Sequence, residues 1–203
     1  FTACSQAPQS PIDSVNPFIG TGFHGHTYPG ATAPYGAVQL SPDTRKGNWD
    51  ACSGYHYSDS TLMGFSHTHL SGTGCIDLGD ILFRPSLQTP LAFSHSDEKA
   101  SPGYYSVNLR EAGVLAELTT TPHVGIHRYT YKKGIESTLV VDMDHLLDNE
   151  YIYEGWVKQT GENELTGMRR TRGWVDNQYV FFVAQFSQPF SSMEQPSERQ
   201  AVL

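Results

Sequence analysis

Tyr104-Tyr105-Ser106-Val107-Asn108-Leu109, Val114-Leu115-Ala116-Glu117-Leu118-Thr119-Thr120 and Val124-Gly125-Ile126-His127-Arg128-Tyr129-Thr130-Tyr131 follow one another with side chains in alternation. Alternation with a period of two marks strands that bury one face. Turn residues separate the runs: Pro102-Gly103 opens the first, Glu111-Ala112-Gly113 precedes the second, and Lys132-Lys133-Gly134 closes the third. Working outward, further short runs fall at 137–142, 152–158, 164–172 and 179–186. Gly161 and Asn163 mark one hairpin turn and Asp176-Asn177 another. Helix is confined to a turn or two, at Asp97 to Ala100 and around Leu146-Leu147. The spacing predicts an all-β fold, an antiparallel meander in two packed sheets forming a β-sandwich. The expected layout is a tether over 1–14, the sandwich over 15–193 and a polar tail over 194–203. That tail has no closing strand, so the sandwich is read as cut within or just after its C-terminal end.

Composition narrows the function. The 203 residues carry 13 basic and 21 acidic side chains, a net charge of −8, which argues against a phosphate backbone as partner. The one basic cluster, Met168-Arg169-Arg170-Thr171-Arg172, reads as a solvated strand face. No apolar stretch is long enough to span a bilayer. Eleven Tyr, ten Phe and three Trp suit either a sugar binder or a well-packed sandwich. Three cysteines close no disulfide framework; Cys52 and Cys75 either pair or stay as buried thiols. Thr2-Ala3 before Cys4 resembles the end of a bacterial lipoprotein signal, with Cys4 lipidated and a polar spacer behind it.

Three dense blocks carry the chemistry. Val15 to Ala31 is rich in glycine, but no Lys-Ser/Thr follows, so a P-loop is excluded; His24 and His26 alternate about Gly25. Trp49 sits among turn formers, where an indole serves as a stacking platform for the apolar face of a sugar or plugs the loop. Asp43, Arg45 and Asp50 beside it have the groups to bind vicinal hydroxyls. In Gly64 to Gly74, His67 and His69 point the same way if the segment is a strand. A shared metal of the cupin kind needs a carboxylate soon after, and Leu70 to Cys75 supplies none, so a hydrogen-bonding role is expected. Asp43, Asp50, Asp77, Asp80, Asp142, Asp144 and Glu154 form no recognisable glycosidase dyad.

Taken together, 15–31, 40–45, 49–58, 64–74 with Asp77-Leu78-Gly79-Asp80, and Gly173-Trp174 leading to 181–190 resemble the N-terminal region of glycoside hydrolase family 92. The resemblance implies a calcium-dependent, inverting exo-α-mannosidase. Its N-terminal, supersandwich-like domain would pack on an (α/α)6 barrel, with the active site at the junction. The acid, base and calcium ligands of the family belong mainly to the barrel, so no catalytic residue and no metal ligand is expected in this chain. The sandwich's share of the pocket would be Trp49 as an aromatic wall, with Asp43, Arg45, Asp50 and Cys52, and His67 and His69 lining or supporting it. Expected partners are α-mannosides or N-glycans and the barrel; the expected location is the periplasm or cell surface. The rival reading is a stand-alone carbohydrate-binding lipoprotein without catalysis.

Overall fold

The computed structural model describes residues 10–148 and 151–203; Cys4 lies outside them. The strands run β1 (Ala31–Thr32), β2 (Gln39–Asp43), β3 (Thr61–Leu62), β4 (Gly64–Ser66), β5 (Leu82–Arg84), β6 (Leu91–Ala92), β7 (Glu98–Ser101), β8 (Tyr104–Leu109), β9 (Val114–Thr120), β10 (Gly125–Tyr131), β11 (Val140–Asp142), β12 (Tyr151–Gly161), β13 (Glu164–Arg172), β14 (Gln178–Gln185), β15 (Glu194–Ser197) and β16 (Gln200–Val202). All pairings among them are antiparallel. They form a seven-stranded sheet in the order β1-β2-β4-β5-β11-β16-β15, a four-stranded sheet β10-β9-β8-β7, a three-stranded sheet β12-β13-β14 and the small pair β3-β6.

Register explains how these sheets make a sandwich. Pro42, Phe65, Phe83, Val141 and Ala201 lie opposite one another across five strands, so they share one face of the long sheet. Phe65 packs with Val107, Val114, Ala116 and Leu118 of the four-stranded sheet, beside Leu40, Leu62 and Leu91. Phe83, Val141 and Ala201 pack with Val157 and Leu165 of the three-stranded sheet. The second layer is therefore one covering split into two sheets, a refinement of the expected two-sheet arrangement. Tyr129 of β10 touches both clusters and joins them. Each large apolar side chain fully buried here contributes roughly 1.5–3 kcal/mol.

Two sequence expectations are corrected. Residues 194–203 are no tail: β15 and β16 form a hairpin, β16 pairs with β11, and Ala201 is fully buried. Glu194–Ser197 is exposed along its whole length, so its polar composition and Pro196 suit a solvated edge strand and hide it from a periodicity reading. The basic cluster on β13 is not one solvated face either. Arg170 and Arg172 point outward, but Leu165, Gly167, Arg169 and Thr171 point inward, and Arg169 is fully buried.

Candidate functional site

Trp49 opens a single 3-10 turn, Trp49–Ala51, because Asn48 caps it: the Asn48 side chain accepts from the Asp50 backbone N–H at 2.9 Å. The cap tips Trp49 outward, leaving it 53% exposed, while its Nε1–H donates to the Gly74 carbonyl at 2.9 Å. Two histidines flank the indole. His26 meets it edge-on with ring centroids 4.2 Å apart, and His24 is tilted at 5.3 Å. His24 Nδ1 also pairs closely with the Asp50 carboxylate. The Gly72 N–H donates to the His26 carbonyl at 2.6 Å. Loops 20–27, 48–52 and 71–75 thus meet at one exposed ring. Nε2 of the buried His26 has no hydrogen-bond partner among the described residues, and such an orphan costs about 1–3 kcal/mol. Cys52 lies buried within this knot and Cys75 is partly exposed; both are free thiols. Burial pushes the Cys52 thiol up.

Asp43 belongs to a different, closed network. It sits on the polar face of the long sheet and is fully buried. His69 Nε2 lies 2.7 Å from one carboxylate oxygen and His145 Nε2 2.8 Å from the other. His69 Nδ1 donates to the Gln39 carbonyl at 2.7 Å. Burial alone would push the Asp43 carboxyl up; the charges and hydrogen bonds of the two histidines outweigh it and hold the group well below the usual carboxylate range. Gly54 makes room for this: a Cβ there would lie 2.2 Å from Asp43 Oδ1, and its φ of +86° is itself a glycine conformation.

His67 turns the other way. Strand β4 ends at Ser66, so the alternation expected to align His67 with His69 does not hold. His67 Nδ1 donates to the Ile81 carbonyl at 2.7 Å, and its Nε2 lies 2.9 Å from His127 Nε2. With Nδ1 carrying the His67 proton, His127 Nε2 is the donor, and its Nδ1 accepts from the Tyr129 hydroxyl at 2.8 Å. Burial lowers both histidines, His67 to about 4 and His127 well below its ordinary value, so the pair is neutral at neutral pH.

Arg45 is engaged by the Asp59 carboxylate and Ser58 at the loop's outer side. Asp80 is buried and receives Arg169 Nε at 2.9 Å, Thr68 Oγ1 at 2.6 Å and Gln178 Nε2 at 2.7 Å. Arg169 also reaches the His145 carbonyl, so the Asp43 and Asp80 networks adjoin. Of the residues singled out from the sequence, Trp49, Asp50 and Cys52 come together with His24, His26 and Cys75. Asp43 and His69 lie inside, His67 lies between the sheets, and Arg45 is tied to Asp59. No group of three His, Cys, Asp or Glu side chains able to hold a metal ion occurs among the described residues.

The family model described as the glycosyl hydrolase family 92 N-terminal domain matches residues 14–201. The chain belongs to this family. A family 92 α-mannosidase from Bacteroides thetaiotaomicron, solved alone and with mannoimidazole, superposes with a TM-score of 0.86 at 36% identity, covering 94% of this chain. A family 92 glycosyl hydrolase named ccman5 matches with a TM-score of 0.79 at 27% identity over the same share. An uncharacterized secreted glycosidase of Arthroderma benhamiae is 28% identical over 156 residues, 66% of this chain. The chain spans 29–30% of the solved relatives' chains and 20% of the Arthroderma protein. No helix among the described residues is long and apolar enough to cross a membrane.

Within this family 92 domain, sequence reasoning missed His127, His145 and Arg169. His145 stands alone in its segment, and Arg169 was masked by the two outward arginines beside it. The alternation of β13 does carry a signal, because it places 169 on the same face as Leu165.

Proposed function

We propose that this chain is the sugar-pocket domain of a longer, secreted exo-α-mannosidase that inverts configuration, and that it packs against a separate catalytic domain. One observation carries the reading: Trp49 is held half-exposed, fixed by its own N–H, with His24, His26 and Asp50 around its rim. A pyranose has an apolar face to lie on an indole and hydroxyls to meet imidazole and carboxylate. An exposed, rigid ring needs no rotamer ordering when the sugar arrives.

Glycoside hydrolysis with inversion needs two carboxyl groups on opposite sides of the sugar, one acid and one base. Asp43, Asp77, Asp80 and Glu98 are all buried and already receive protein donors. Asp50, at the site, is paired with His24. These residues support binding and orientation, and the acid and base are assigned to the second domain. Calcium is assigned there too: the described residues hold no converging ligand set for it, so no step through a metal is derived for this chain.

The test is hydrolysis of an α-mannobiose panel by the 203-residue chain and by the same gene carried to the end of its reading frame, each with and without EDTA. The expected result is activity in the extended protein alone, lost in EDTA. A Trp49→Ala substitution in it should lower kcat/KM at least tenfold. Activity of the 203 residues alone would return the acid and base to this chain.

A further inference from the structure

The loop 173–177, between β13 and β14, carries a second exposed indole, Trp174, 63% exposed. Its position is built, not loose. Buried Asp77 accepts the Trp174 backbone N–H at 2.6 Å. A Cβ at Gly173 would lie 2.2 Å from Asp77 Oδ1, so only glycine lets the loop seat on that carboxylate. The flanking strands are pinned alongside, Arg169 and Gln178 both bonding to Asp80.

Asp77 lies on the same short segment as Gly74, whose carbonyl holds Trp49. The anchors of the two indoles are three residues apart, a span of at most about 11 Å. Both indoles are therefore tied to one loop, Trp49 through its ring N–H and Trp174 through its backbone N–H. We propose that Trp174 is a second sugar-stacking platform, positioned by Asp77, that receives the ring next to the one held at Trp49. This rests on the reading of the Trp49 site as a mannoside pocket. The ligand is an α-linked oligosaccharide of at least two rings, and Trp174 sets how strongly the enzyme prefers it over a single sugar.

The experiment uses the full-length protein and two substrates: α-mannobiose, and α-mannosyl fluoride, whose leaving group is one atom and reaches no second platform. Trp174→Ala should lower the ratio of kcat/KM on mannobiose to that on the fluoride about tenfold, mainly through KM, and Trp174→Phe should restore most of it. Asp77→Asn should lower the ratio in the same sense. An unchanged ratio in Trp174→Ala overturns the proposal. So does an equal loss on both substrates together with a lower melting temperature, which would make Trp174 a contact with the second domain. A parent protein inactive on the fluoride as well would fell the mannoside reading itself, a failure distinguishable by that arm.

Discussion

A methyl group at position 54 has nowhere to go: Asp43 Oδ1 stands 2.2 Å from it and the His69 ring 3.1 Å. Gly54→Ala should therefore cost about 3 kcal/mol or more, from a left-handed backbone and a displaced buried carboxylate together, read as a large drop in melting temperature. Trp49 lies among turn formers and is half-exposed, an outcome that the sequence left open between a stacking platform and a loop plug. Asp43 and His69, equally polar and just as near in sequence, are sealed inside, because burial depends on which face of β2 and which loop end they occupy. The His67–His127 pair makes a pH prediction. Unfolded, both rings take a proton near pH 6.5; folded, His67 stays neutral until about 4, and burial likewise holds His127 well below its ordinary value. The unfolded state binds more protons in that window, so stability is full above about 6.5 and falls as the pH drops toward 4. His67 alone accounts for about 3 kcal/mol of that loss. Urea melts from pH 7.5 to 4.5 should show the decline, and His127→Leu should make it shallower while leaving the share that belongs to His67.

Strands β8, β9 and β13 were read from the sequence with their observed ends, because each is stopped by a turn and β9 and β13 bury alternate side chains, while β8 buries Ser106 as well as its apolar face. The short strands of the long sheet were not: β4 and β5 have three residues each, and three residues cannot show a period. β16 is equally short, yet it lies between β11 and β15. Ala201 packs with Val141, Val157 and Leu165. Ala201→Asp should accordingly destabilise the domain by about 3 kcal/mol or more, by burying an unpaired carboxylate, and limited proteolysis should then cut the 194–203 hairpin first.

Seen whole, the molecule carries an apolar strip on the outer surface of its three-stranded sheet. Tyr179, Phe181 and Val183 of β14 all point to solvent, and Arg170 lies between the rings of Tyr153 and Tyr179. A contiguous apolar face of this kind favours contact with another surface over contact with water. In isolation the 203 residues should self-associate as concentration rises despite the net charge of −8. Phe181→Glu should return them to monomer in sedimentation velocity without changing the melting temperature by more than a few degrees, since the ring is 70% exposed.

The place of β16 also sets a timetable for synthesis. Its partner β11 leaves the ribosome about sixty residues before it. At about 5–20 residues per second that is a wait of roughly 3–12 s. For that interval one edge of β11 is unpaired and the apolar face around Val141 is incomplete, so the nascent chain presents a sticky strand to its neighbours. A ribosome that stalls between 142 and 200 would hold an aggregation-prone intermediate, and one that passes residue 202 supplies the strand that covers the open edge.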